Sequence, residues 1–350
     1  MRHKTGKLVL RPAWPRVSFR LDIRALLVIA ALSALAFAGT VAHLAVGEYP
    51  IPPLDVVRTL LGMETSDSSY AFIVQTLRLP RALVALLVGA ALAVAGAILQ
   101  GLTRNPLAAP DVIGINTGAS LAAVTLIVAF PSVSSSYLPP AAFGGALVVA
   151  VLLYVLAWKG HSSPARLILV GIGLAAIAHA LTWLLISSGN IQEVSQALIW
   201  LTGSVYARGW EELWALVPWV AVLLPFALGY ARHLNALGLG DEVATGLGGR
   251  VELSRGLLLL ASVGLAGAAV ATAGLMAFVG LMAPHIARQM VGPSGGAVLP
   301  TAAVTGAALV VLSDLAGRIV FSPTELPAGI VTAVLGAPYF VFLLYRNRNK

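Results

Sequence analysis

The sequence predicts an all-α polytopic membrane protein, and three observations carry that expectation. Of the 350 residues, 59% are hydrophobic and only 10% are charged, whereas an average soluble domain is about 25% charged. The mean hydropathy is +0.91. Apolar runs recur along the whole chain at the length of about 20 residues that a bilayer-crossing helix needs. The 35 glycines also suit helices that pack closely in lipid.

Residues 1–24 read as a basic tail, with Arg2, Lys4, Lys7, Arg11, Arg16, Arg20 and Arg24 before the first apolar run. That run, 25–46, contains "AFAG", which resembles a signal-peptidase site. It continues to Val46, however, which is span length rather than signal-peptide length, so a retained first helix is expected. Further spans are predicted at 82–100, 112–130, 141–157, 167–187, 213–231, 297–313 and 326–345. Between them, 256–284 is too long for one crossing and short for two, with Gly274 and Gly280 interrupting it and Pro284 ending it.

Charge resolves the count. The C-terminal tail (346–350) carries Arg346, Arg348 and Lys350, and basic flanks mark the cytoplasmic side. Both termini are then cytoplasmic, the number of crossings is even, and 256–284 crosses twice. About ten transmembrane helices result, in a single membrane domain over 25–345. The loops agree. Lys159, Arg166 and Arg288 fall inside, the uncharged loop 131–140 falls outside, and so does the acidic loop 188–212. Arg78, Arg81 and Arg318 fall outside against the trend, each nearly balanced by neighbouring acids. A loose repeat relates "RALVALLVGAALAVAG" from Arg81 to "RGLLLLASVGLAGAAVATAG" from Arg255. The two copies run in opposite directions, as in transporters built from two inverted-topology halves.

Several functions are disfavoured. The basic residues lie beside apolar spans, which speaks against nucleic acid. The chain has no cysteine, hence no thiol nucleophile or thiolate metal site. No predicted span holds an Asp, Glu, Lys or Arg near its middle, where such a charge usually serves an ion relay. His43, His179 and His285 read first as polar residues bonded between helices. "TGKL" at 5–8 is too short for a phosphate loop, and no His-Glu-x-x-His motif occurs. The chain is therefore not expected to be an enzyme or to hold a metal or cofactor. Energy for uphill transport must come from a partner.

The segment "RLPRALVALLVGAALAVAGAILQGLTRNPLAAPDVIGINTGAS" (78–120) closely resembles permeases of the iron-siderophore, haem and cobalamin ABC import family. The resemblance continues through "WLTGSVYARGW", "LGLGDEVATGLG", "FVGLMAPHIAR" and "SDLAGRIVFSPTELPAGIVTAVLGAPYF" in the family's order. It implies ten helices with cytoplasmic ends and a location in the cytoplasmic (inner) membrane. It also implies ATP and magnesium on a separate cytoplasmic ATP-binding subunit. Further implied partners are a periplasmic or lipid-anchored substrate-binding protein and a second permease copy, in a homodimer or heterodimer.

The resemblance assigns roles to particular positions. It makes 236–256 the segment that docks on the ATPase, with Leu239, Gly240, Asp241, Glu242, Ala244, Leu247 and Gly248 matching the pattern; otherwise the segment reads as a surface loop. Arg78, Arg81 and Arg318 match arginines that receive glutamates from a binding protein. The alternative is that they snorkel to lipid headgroups or pair with Asp314 and Glu325. Ser163, Pro164 and Ala165 match the residues that narrow the inner mouth, and Pro164 and Ala165 depart from the hydroxyl pair of the cobalamin permease. In "TRNPLAAPD", Pro106 and Pro110 force a helix break. Arg104 and Asn105 there can satisfy freed carbonyls or lipid phosphates. Pro284 and His285 form the expected counterpart break. A ferric siderophore is the expected passenger. The alternatives are haem or cobalamin, a stand-alone secondary carrier, or an integral-membrane enzyme.

Overall fold

The computed structural model describes residues 7–10, 19–159 and 161–347. Arg2, Lys4, Arg11, Arg16, Arg348 and Lys350 of the predicted basic tails lie outside the described residues. Strands β1 (Lys7–Leu10) and β2 (Phe19–Asp22) form an antiparallel pair ahead of the first helix. There follow α1 (Ile23–Ala45), α2 (Pro53–Leu60) and α3 (Ser69–Ala71), the last running through a π-helical turn (Phe72–Arg78) into α4 (Leu79–Thr103). Next come α5 (Ile115–Ala129), α6 (Leu138–Ala157), the short pair β3 (Trp158–Lys159) and β4 (His161–Ser162), and α7 (Pro164–Ser188). The chain continues with α8 (Ile191–Thr202), α9 (Trp210–Gly229), α10 (Ala231–Gly238) and α11 (Asp241–Gly246). It ends with α12 (Val251–Ala273), α13 (Val279–Val291), α14 (Gly295–Val320) and α15 (Ala328–Asn347).

Among the described residues, seven helical stretches are long and apolar enough to cross a membrane. They contain α1, α4, α6, α7, α9, α12 and α14, while α5 and Ala328–Leu343 of α15 are apolar but shorter. The core is built on α4, α12 and α14, which are mostly buried, while only a minority of residues in α1, α6, α7 and α9 are buried. Small residues explain the packing. A methyl group on Gly89 would collide with the Gly306 carbonyl of α14, and one on Gly96 with the Gly280 carbonyl of α13. The Ser262 hydroxyl of α12 donates to the Ala95 carbonyl of α4 at 2.9 Å.

Chain direction follows from these contacts. α4 leads from Arg81 to Arg104, which reaches the α10–α11 turn. α14 starts where the Gly295 N–H donates to Asn235, near that turn, and finishes at Arg318, which reaches the end of α1. The two ends of the bundle are thus the arginine end and the α10–α11 end. With 25 residues in α4 at 1.5 Å per residue, they lie roughly 37 Å apart.

The ambiguous run 256–284 resolves into two helices of opposite direction. α12 ends at Ala273 because Gly274 takes φ +74°. Residues 274–278 are non-helical, and α13 then returns toward the α10–α11 end. At that turn the backbone of three segments meets. Ser204 N–H donates to Ala273 O at 2.7 Å and Gly329 N–H to Gly203 O at 3.0 Å. Gly203, Gly274 and Gly329 each have a backbone carbonyl where a side chain would stand.

Three expectations need correction. Pro284 does not end or break its helix, since α13 runs through it. The proline removes only the bond to the carbonyl four residues earlier, Gly280, and the true break lies upstream at Gly274 and at Phe278, whose φ is +65°. The span predicted to end at 313 continues to Val320, so Asp314 lies within a helix, where Arg81 and His43 satisfy it. Finally, the loop 188–212 contains α8. Its start is fixed by Glu193, whose carboxylate accepts the Asn190 backbone N–H at 3.1 Å, one arm of a capping box.

Candidate functional site

At the arginine end, Arg78, Arg81 and Arg318 come together, but facing inward. Their exposures are 7%, 8% and 7%. The last carbonyls of a helix lack internal donors, and two of these arginines supply them for α1. Arg78 Nη1 donates to Leu44 O at 2.7 Å and to Ala45 O at 3.2 Å, while Arg78 Nη2 donates to Tyr49 O at 2.6 Å. Arg318 Nη2 donates to His43 O at 2.5 Å. Cations at a helix C-terminus also meet the negative end of its dipole.

Arg81 is held differently. Its Nε and Nη2 grip both oxygens of Asp314 at 2.8 and 2.9 Å, and Nη2 also lies 2.9 Å from Glu325. The Tyr206 ring sits 5.3 Å from its guanidinium carbon, in cation–π range. His43 Nε2 reaches the same Asp314 at 2.7 Å. The pairing of Arg81 with Asp314 and Glu325, one of the two sequence readings, is what the structure contains. Among the charged groups here Glu325 is the most exposed, at 25% of its side chain.

The π-helical turn that ends at Arg78 was not visible in the sequence. A wide turn frees a carbonyl from the α-helical ladder. Here the Trp210 indole N–H donates to Gln75 O at 2.9 Å, and the Gln75 amide donates to Thr59 O at 2.8 Å.

At the other end, the segment 236–256 holds the end of α10, all of α11 and the start of α12, with Leu239 and Gly240 joining the two short helices. Gly240 has φ +119° and Gly248 has φ +81°, with open space where a Cβ would stand. Backbone conformation, not crowding, therefore calls for glycine at both positions. Leu239, Val243 and Leu247 recur at a spacing of four residues and are 67%, 47% and 70% exposed. Ala244 packs inward at 2% exposure, while Glu242 faces solvent. Asp241, the first residue of α11, is tied to the bundle by ion pairs with Arg104 and with Arg255. Val243 was not among the residues expected here, although its spacing from Leu239 and Leu247 was legible.

The break in "TRNPLAAPD" forms as expected. Arg104 adopts a left-handed φ of +52° and Gly114 a φ of +89°, so neither helix continues. Asn105 Oδ1 accepts the Leu107 N–H at 2.9 Å. Arg104 reaches past its own break and donates to Leu237 O of α10 at 3.1 Å. Pro110 packs on α13, with its Cδ 3.0 Å from where a Gly280 Cβ would stand. Asp111 accepts from the Asn116 amide; burial pushes its carboxyl up from 3.8 to about 6, against the opposing effect of that bond.

Ser163 precedes α7, Pro164 opens it, and Ala165 is exposed in its first turn. Arg166 Nη1 donates to Ala157 O at 3.3 Å across the loop. His285 lies on α13, with its Nε2 2.8 Å from the Gln289 amide and its ring centroid 6.0 Å from that of Tyr339 on α15. Among the described residues, no group of three or more His, Asp or Glu side chains could hold a metal ion.

Comparison with known proteins adds the following. Residues 29–346 match the model of the FecCD transport family. The chain is 45% identical over 328 residues to the Fe(3+)-citrate import system permease protein YfmE of Bacillus subtilis, covering 93% of this chain and 97% of that one. It is 42% identical over 279 residues to the cobalamin import system permease protein BtuC of Halobacterium salinarum, covering 79% of this chain and 74% of that one. A solved inward-facing metal-chelate type ABC transporter superposes with a TM-score of 0.82 at 30% identity, covering 92% of this chain and 99% of that one.

Proposed function

The chain belongs to the FecCD transport family, and from that premise we propose that it is the permease subunit of an ATP-driven importer carrying a ferric siderophore across the cytoplasmic membrane. A loaded binding protein docks at the arginine end. An ATP-hydrolysing subunit docks on α10–α11, and its cycle opens the helix bundle alternately to each side. Relatives with 45% and 44% identity are named as permeases for ferric citrate and iron hydroxamate, which supports an iron chelate as passenger. The cobalamin permease at 42% keeps cobalamin as the second reading.

The observation that carries the ATPase contact is the surface of α11. Leu239, Val243 and Leu247 stand exposed beyond the bundle on a turn whose base is held by ion pairs. Exposed apolar side chains grouped beside charge fit a protein partner better than lipid or water. In this topology ten segments cross the membrane. α13 and the non-helical residues 274–278 together make one crossing, since the 13 residues of α13 reach only about 20 Å. α4 and α12 are the counterparts of two inverted halves, each opening near a buried arginine paired with an acid. A second copy of the chain completes the permease.

The arginine end supports docking through Glu325. A carboxylate from a binding protein can approach Arg81 by displacing this partly exposed partner, while Asp314 keeps its place. Arg81→Glu is expected to weaken binding-protein association in a salt-dependent way; unchanged association and transport would rule the contact out. The passenger is tested by uptake of labelled ferric siderophore in cells lacking the chain. Restored uptake on complementation supports the reading, and restoration of cobalamin uptake alone favours the second.

A further inference from the structure

A docking surface needs only the exposed side chains of α11. Its buried side raises a separate question, which is how movement there reaches the spanning helices. We infer that Asp241 is the mechanical joint that passes displacement of the docked turn into α4 and α12. The inference rests on reading 236–256 as the ATPase contact.

Asp241 is the first residue of α11, and two arginines from two core helices converge on it. Arg255, near the start of α12, is 1% exposed, and its Nη2 lies 2.8 Å from each Asp241 oxygen. Its Nη1 is held by Glu252 at 3.2 Å. A guanidinium so enclosed cannot swing into water to let the carboxylate go. Arg104 closes α4, pairs with the same Asp241 oxygen, and donates through Nε to Leu237 O. It therefore grips both sides of the Leu239–Gly240 turn.

The rest of α11 is hinged. Gly240 and Gly248 flank it with positive φ, and a Cβ added at either would meet nothing within 4 Å. On the inward face, Ala244 contributes apolar packing, which is non-directional and permits sliding. A carboxylate held by two guanidiniums has fixed geometry and does not slide. Displacement of α11 is thus delivered at Asp241 to Arg104 and Arg255. Through α4 it reaches the Arg81–Asp314 pair at the far end. Asp241 acts through Arg104 and Arg255, so its role is positioning.

The test uses the full complex of permease and ATPase subunits in lipid nanodiscs. Because the chain has no cysteine, Ser136→Cys and Thr324→Cys place spin labels at two exposed sites outside the helix core. In the chain with native Asp241, ATP is expected to change the distance between the labels. In Asp241→Asn the amplitude of the distance change, normalised to the assembly and ATP hydrolysis of the same complex, is expected to fall at least ~5-fold, the lower range of known site-to-site couplings. Asp241→Glu should restore part of the amplitude. Arg104→Ala removes the exposed partner, leaves the Arg255 pair and should give an intermediate loss. A full amplitude in both Asp241→Asn and Arg104→Ala overturns the inference. So does loss of assembly in step with amplitude, which would make Asp241 a docking residue only. Failure of the underlying reading has a different signature: Leu239→Asp with Leu247→Asp still assembling with the ATPase, or no ATP-dependent change with Asp241 intact.

Discussion

Asp314 shows what one carboxylate does in this bundle. At 1% exposure it is shared by Arg81 and His43, joining α1, α4 and α14. Removing one member of a buried pair strands the other, at about 3–5 kcal/mol, whereas replacing both by apolar groups is often nearly neutral. Asp314→Leu is therefore expected to lower stability in detergent by that amount, and Arg81→Met with Asp314→Leu by distinctly less. Equal losses in the single and double variants would refute the pairing. Asp111 makes a pH prediction. Burial raises its carboxyl from 3.8 to about 6, so the folded chain holds this proton where the unfolded chain has lost it. Its contribution to stability is largest below about pH 4, declines as pH rises to about 6, and is flat above. Asp111→Asn should remove that part of the slope in melting temperature against pH, and an unchanged slope argues against it. At Gly240, φ +119° with open space around it isolates a backbone effect. Gly240→Ala should destabilise the turn by about 1–3 kcal/mol and weaken ATPase assembly, measured by co-purification.

The helices owe their arrangement to glycine. Gly96 abuts the Gly280 backbone and Gly89 the Gly306 backbone, so α13 and α14 lie on α4 with no side chain between. Gly96→Ala is expected to force these backbones apart at about 1–3 kcal/mol or more. Gly173→Ala on α7, with no atom within 4 Å of its added methyl, should be harmless. Similar melting temperatures for the two variants would contradict the close crossing. Element boundaries were legible where composition changed, as at the prolines and left-handed residues of 104–114. They were misread where a tertiary contact decided. Pro284 sits within α13 because one lost backbone bond is tolerated there. α14 outlasts its apolar run because Asp314 finds partners from distant parts of the chain. α8 had a local signal, the Asn190 to Glu193 spacing of a capping box, hidden in a segment that charge had marked as loop.

Across the whole molecule, charge parity and apolar run length foretold a membrane bundle, and the motif series foretold its family. The pairing of Arg81 with Asp314 and Glu325 was one of the sequence readings, but the inward turn of Arg78 and Arg318 was not legible. It depends on α1 ending beside α4 and α14, which brings Leu44 and Ala45 to Arg78 and His43 to Arg318. The convergence of Arg104 and Arg255 on Asp241 was equally hidden, since 137 residues separate Arg104 from Asp241 in the sequence. On the proposed function, the chain imports a ferric siderophore only with an ATP-hydrolysing partner. The direct measurement is uptake of radiolabelled ferric siderophore into liposomes carrying the chain, with and without the ATPase subunit, binding protein and ATP. Uptake confined to the complete system with ATP is the predicted result. Uptake by the chain alone, driven by an ion gradient, would contradict it.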